Sequence, residues 1–298
     1  MNNPQRQSGK VKGDDWQSEL EEIISGASGG FLFGIPLLYT MEVWSIGSYV
    51  QPNILLAILA ITFIIVLSIN RIEGFRPKES ETIPGAIGET IETLAIGITC
   101  ATIMLILLQR IDLRTSLTEA LGKIVFEGVP FSLGVAFSRS LLSGDSNGNS
   151  DNKAESQSGR QQKSSAWRDT LADLSATIIG ALFIAFSIAP TDEITVLAAS
   201  ASGLWLLSIA IASVLISYGI VFASKITNYQ ERFKQSGLFQ TPQSETVISY
   251  LVSLLIGILM LWFFQKLTIS DPWYLWLRYG IILGLPASIG GAAGRLAV

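Results

Sequence analysis

Eight long stretches of this 298-residue chain are almost free of charge, and that pattern rules out most folds. A membrane-spanning helix needs roughly 20 largely apolar residues. The runs are Ile23–Met41, Pro52–Asn70, Ile91–Leu108, Leu121–Phe137, Leu174–Ala189, Ile194–Ala223, Val247–Phe264 and Tyr279–Leu296. The second and seventh are the clearest. The fourth is the weakest, being short and carrying Glu127, and the sixth is overlong, as if tilted or begun outside the hydrocarbon. A soluble core could absorb one or two such runs, not eight separated by short polar turns. Backbone groups in lipid must be satisfied within the segment, so helices are expected. A β-barrel would need alternating segments of about ten residues, whereas these runs are continuous. The fold class is therefore all-α: a polytopic helical membrane protein.

Composition agrees, with 49% hydrophobic and 15% charged residues and a mean hydropathy of +0.46. The net charge of −4 is spread over the loops and offers no basic face to nucleic acid. The single cysteine, Cys100, excludes an intrachain disulfide. The chain has no histidine, so it lacks the commonest transition-metal ligand and the commonest general base near neutral pH. Residues 1–22 are polar and lack the pattern of a secretory signal; they read as a retained cytoplasmic segment. Of the 20 basic residues, only Arg110, Arg114, Lys123, Lys266 and Arg278 fall on one side of the eight-helix pattern. The other side carries the rest, which places both termini in the cytoplasm of a multi-pass cell-membrane protein.

Residues 143–165 are rich in Ser, Asn, Gly and Gln, cannot bury a core, and read as a flexible cytoplasmic linker. The linker separates two similar segments, 23–142 and 166–298. With an offset of 151, Trp16, Leu20, Glu22, Gly29, Thr40 and Glu42 meet Trp167, Leu171, Asp173, Gly180, Thr191 and Glu193. With an offset of 156, Glu89-Thr90-Ile91 meets Glu245-Thr246-Val247, and Gln109-Arg110 meets Gln265-Lys266. The segments 127–139 and 283–295 share G-x-P-x-S-x-G-x-A-x-x-R. These matches predict two tandem four-helix repeats in parallel orientation, facing each other about a pseudo-two-fold along the membrane normal.

Several polar residues are candidates for a transport pathway. Glu119, Lys123 and Glu127 are spaced i, i+4, i+8 and share one face of the fourth run. Glu127 lies about 6 Å deeper than Lys123 at 1.5 Å per residue. An ionisable group at that depth faces a bundle interior or a watery cavity; the bland alternative is that Glu127 only pairs with Lys123. Glu89 and Glu245 are expected in the first turns of the third and seventh helices, behind Gly88 and Ser244 as N-caps. With Glu92 they would form a cytoplasmic cation vestibule if those helices face each other, and Glu42 and Glu193 could do the same at the outer end. For any single acid, a solvated interfacial position is the simpler reading. Gly128-x-Pro130 and Gly284-x-Pro286 predict kinks, which either serve packing or expose backbone groups that bind ions. Gly26, Gly30 and Gly34, with Gly290 and Gly294, form small-residue stripes for close helix contact. Trp16, Trp167, Trp262, Trp273 and Trp276 read as an aromatic belt. No phosphate-binding loop, HExxH or paired CxxC motif occurs.

The segment FGIPLLYTMEVW (33–44), within the eight-helix pattern, resembles a bacterial family of uncharacterised integral membrane proteins. The resemblance covers nearly the whole chain and implies a bacterial cytoplasmic membrane address, with no mechanism attached. The expectation is a channel or secondary transporter for a small ion, a cation or proton over an anion, with its pathway where the repeats meet. A non-transporting scaffold or assembly partner is the alternative, and an intramembrane enzyme acting on lipids ranks last. No cofactor is expected. The lipid bilayer is the expected partner, a small ion or solute the ligand; the metal question stays open, and the chain could self-associate.

Overall fold

A computed structural model describes residues 11–72, 83–144, 162–223 and 242–296. All regular structure among them is helical: α1 (Val11–Leu38), α2 (Met41–Gly47), α3 (Pro52–Ile72), α4 (Ile83–Leu107), α5 (Leu117–Gly144), α6 (Gln162–Ile188), α7 (Glu193–Ser200), α8 (Gly203–Tyr218), α9 (Pro242–Phe263) and α10 (Trp273–Leu296). A π-helical turn, Gly219–Ala223, continues α8. Among the described residues six helices are long and apolar enough to cross a membrane, or up to eight if two bent pairs each count as a span.

Those bends correct the expected spans. α1 and α2 meet at 91°, and so do α6 and α7. The first run therefore ends at Leu38, and the overlong sixth run is two helices parted at Ala201-Ser202. Ser202 is extended (φ −80°, ψ 168°), which stops the α-helical ladder before Gly203. α3 starts at Pro52 as expected, and the remaining helices start earlier than hydropathy alone implies. α4 begins at Ile83, and α9 begins with Pro242, a residue suited to the first helical position because its missing N–H would be unsatisfied there anyway. α1 extends back to Val11, so residues 11–22 are helical rather than a separate polar segment. The linker expected at 143–165 gives up its ends to α5 and α6; its middle lies outside the described residues.

α5, the run with the weakest membrane signal, is the hub of the first half of the chain, packing against α1, α2, α3 and α4. α10 does the same for α6, α7, α8 and α9. An enclosed helix need not be lipid-compatible all round, which is why α5 can carry Lys123 and Glu127. Glycines set the approach distances. A methyl on Gly290 would collide with the Gly180 carbonyl, and one on Gly134 with the Gly29 carbonyl. Gly30 and Gly34 of the expected stripe face Val135 and Phe131 of α5. The closest approach of α1 to the α5 backbone is at Gly29, one residue off that stripe.

The two halves meet through α1, which packs against the π-helical turn and α10, and through α4 against α8. α4 and α9 do not form a packed pair among the described residues. The condition set for a cation vestibule, that those two helices face each other, is therefore not what joins the halves.

Candidate functional site

α5 carries the most unusual side chain in the protein. Glu127 has 0% exposure, and neither carboxylate oxygen has a hydrogen-bond partner. The simpler reading, pairing with Lys123, is overturned. Lys123 Nζ donates to Glu119 Oε1 at 2.6 Å and to the Arg110 carbonyl at 2.8 Å, both one turn or more toward the helix start. The three residues thus split into a satisfied ion pair near the end of the span and a bare carboxyl further in. Glu127 lies one turn before Phe131, whose ring fills the space beside Gly34 on α1. Gly128 beside it packs at 3.1 Å from Ile98 on α4, as gauged from where its Cβ would stand. The site is therefore inside the first half, and among the described residues α5 packs chiefly against α1, α2, α3 and α4.

The prolines do not open the backbone. Pro130 and Pro286 sit inside continuous helices, α5 and α10. Pro286 has no N–H, which leaves the Ile282 carbonyl without its intrahelical donor. Tyr39 OH, at the α1–α2 bend, donates to that oxygen at 2.6 Å. This buried bond across the two halves was not legible in the sequence; the only cue was that a helical proline four residues on frees a carbonyl.

The remaining acids fall at the two ends of the bundle. At one end, Glu193 Oε1 accepts from the Met41 amide at 3.4 Å, while Glu42 is exposed. Arg110 lies over the Trp44 ring at 5.0 Å and donates to Ser200 Oγ at 2.8 Å. Lys266 pairs with Asp192 at 2.7 Å and holds that carboxyl below its usual range. The turns there are closed by two more lowered carboxyls. Asp112 is stabilised by the Thr115 hydroxyl and the Arg114 amide, and Asp271 by the Thr268 amide and then the Thr268 hydroxyl.

At the opposite end, Glu245 pairs with Arg295, which is 1% exposed, also donates to Ser249 Oγ and stacks over Phe222. Two expectations change here. Glu245 is neutralised by a buried guanidinium, so it contributes no free charge to a cation vestibule. Glu89 lies well inside α4 because that helix starts at Ile83, so Gly88 is not its N-cap; Ser244 likewise sits within α9. Glu92 is exposed.

Buried hydroxyls without a hydrogen-bond partner form a second polar population, Ser25, Ser132, Ser217, Tyr250 and Ser253, of which only Ser132 lies in the shared proline motif. Among the described residues no group of three or more His, Cys, Asp or Glu side chains could hold a metal ion. Neither curated proteins nor solved structures provide a match to the chain. A family model described as "Putative integral membrane protein (DUF2391)" matches residues 22–298, nearly the full length, and the protein belongs to that family of multi-span helical membrane proteins.

Proposed function

We propose that the protein is a tandemly duplicated channel or secondary transporter for a small cation or proton, with Glu127 as the ionisable group in its pathway. The carrying observation is that Glu127 is fully enclosed within a membrane span and has no hydrogen-bond partner. A carboxyl placed there costs stability unless it binds something, and intramembrane carboxylates characteristically mark ion pathways and proton relays. The expected location changes accordingly: the pathway runs beside α5 within the first half, not along the contact between halves.

Several features support the duplication. An offset of 151 carries the ends of α3 (52–72) onto the start of α8 and the end of its π-helical turn, Gly203 and Ala223. Both halves open with a pair bent by 91°. The positive-φ residues Gln109 (55°) and Gln265 (60°) are related by the offset of 156. The turns that follow are closed by the same pair in reversed order, Asp112 with Thr115 and Thr268 with Asp271. The excess of basic residues at the other end favours cytoplasmic termini. Reporter fusions at each terminus test that orientation.

Flux is measured in proteoliposomes loaded with a pH-sensitive or cation-sensitive dye. Wild type is expected to dissipate an imposed gradient and Glu127→Gln to lose that activity. Equal flux in Glu127→Gln removes the residue from the mechanism. Absence of flux for protons and for every monovalent cation in the wild type removes the proposal, and a stoichiometric partner after gentle-detergent purification would then favour a scaffold.

A further inference from the structure

The contact between the halves is one-sided. α1 packs against the π-helical turn and α10, and α4 touches α8, but the converse pairs, α6 with α3 or α5 and α9 with α3, do not pack to the same extent among the described residues. A two-fold contact would contain both sets. On the duplication proposed above, on which this inference rests, the interface is heterologous, and the counterpart of each of its faces is left open.

Burial traces those open faces. Ser28 and Ile35 on α1 are 3% and 0% exposed, while their counterparts on α6, Ile179 and Phe186, are 66% and 54% exposed. Between them, Phe31 and Leu32 pack on the core, and their counterparts Leu182 and Phe183 are exposed. Along α8 and the π-helical turn that continues it, Trp205, Ile209, Ala212, Ile216 and Ile220 recur at helical spacing, and Trp205 Nε1 donates to the Leu107 carbonyl of α4. Their counterparts on α3 are Ile54, Ile58, Ile61, Ile65 and Ile69, a single-file stripe in which Ile54, Ile61 and Ile65 are exposed. Neither open face carries a charge.

We infer that a second copy of this chain places its α6 against α3, reproducing between chains the contact that α1 makes with the α8 arm within one chain. Parallel repeats turn about the membrane normal, so successive copies stay in the membrane plane, and a heterologous contact forms a ring where its rotation closes. The in-chain neighbours predict the pairs that should meet. Ser28 lies beside Gly219, and their counterparts are Ile179 and Ser68. Leu107 meets Trp205, and their counterparts are Phe263 and Ile54.

The full-length chain with Cys100→Ser is expressed in membranes carrying Ser68→Cys and Ile179→Cys, together or singly, and oxidised. A second set carries Ile54→Cys and Phe263→Cys. The expected result is a shift from one-chain mass to two-chain and higher mass when both members of a pair are present, on one chain or on co-expressed chains. Either single variant alone should stay at one-chain mass. Single variants that cross-link as well as the pair overturn the proposal in favour of a two-fold contact, and absence of linking in both sets leaves those faces to lipid and overturns it outright. Ser28→Cys with Gly219→Cys is the in-chain control. If it links while the intermolecular pairs do not, self-association fails and the duplicated fold stands. If it does not link, the contact from which the equivalence is drawn fails as well.

Discussion

Replacing Gly290 by alanine tests the crossing of α6 and α10 directly. The added carbon would overlap the Gly180 carbonyl and stand 2.6 Å from Ile184 Cγ1 and 2.9 Å from Ile184 Cβ. Ile184 could move its outer atoms, but the carbonyl belongs to a packed helix and cannot move alone. Overpacking costs about 1–3 kcal/mol, and a backbone obstruction belongs at the top of that range. Alanine recovers roughly 1 kcal/mol of helix propensity lost by glycine, leaving about 2 kcal/mol of destabilisation. For a chain of this size that corresponds to a fall in Tm on the order of 3 °C. Cys100 supplies the assay: it is free and buried, so a thiol-reactive fluorophore reports unfolding in detergent as the side chain becomes accessible. Gly88→Ala is the control, because nothing lies within 4 Å of a carbon added there. It should leave Tm unchanged or raise it slightly, on the order of 0.5–1 kcal/mol. A Gly290→Ala protein as stable as wild type would refute the close-crossing argument, as would a Gly88→Ala protein that loses as much.

Tyr39→Phe strips the Ile282 carbonyl of its donor and should cost about 1–3 kcal/mol, seen as a lower Tm in the same thiol assay; no change would mean that oxygen is satisfied in another way. Glu127→Leu removes a buried polar group that has no partner and should raise stability by about 1–3 kcal/mol while abolishing flux. Asp112, Asp192 and Asp271 have folded pKa values below the usual value of about 3.9, so their stabilisation is complete above that pH and is lost as pH falls through the lower folded values. Titration of ¹³C-labelled aspartate carboxyls should place all three midpoints below that of free aspartate, and a higher midpoint for any of them would contradict the hydrogen bonding described. Asp192→Asn should remove one of the three depressed signals and leave the other two in place.

The spans were legible because lipid demands long uncharged runs, and such runs survive any uncertainty at their ends. The bends were not, because α2 and α7 are short and apolar and merge in hydropathy with what precedes or follows them. Met41–Gly47 follows the end of α1 after two residues, and Ala201-Ser202 interrupts a run with no polar break strong enough to see. Helix starts were misplaced for a related reason. Residues such as Pro84 and Gly85 lower apparent hydropathy at the beginning of α4 although they are helical, which is why Glu89 looked like a first-turn residue. At the site, the spacing of Glu119, Lys123 and Glu127 correctly put them on one helix, but spacing cannot say which acid the lysine chooses. That choice depends on the Arg110 carbonyl, which reaches Lys123 from the preceding turn and draws it away from Glu127. Glu245 and Arg295 are 50 residues apart, and no local pattern could have paired them.

The proposed duplication supplies an internal comparison for Glu127. On that reading its counterpart is Leu283, also 0% exposed, whose side chain lies 3.5 Å from the position of a Cβ on Gly257 of α9. One turn earlier, the counterpart of Lys123 is Tyr279, packed against the apolar core. The same helical crossing is therefore built in the second half with apolar or aromatic side chains, and the fold itself does not need a carboxyl at this depth. A buried carboxyl without a partner makes the first half less stable than a leucine would, by the desolvation cost of an unsatisfied polar group. Natural proteins keep such departures from an otherwise consistent pattern chiefly at functional sites. Under the proposed function, the asymmetry between Glu127 and Leu283 fits a single working half supported by a structural one, with the carboxyl where packing gives no reason for it.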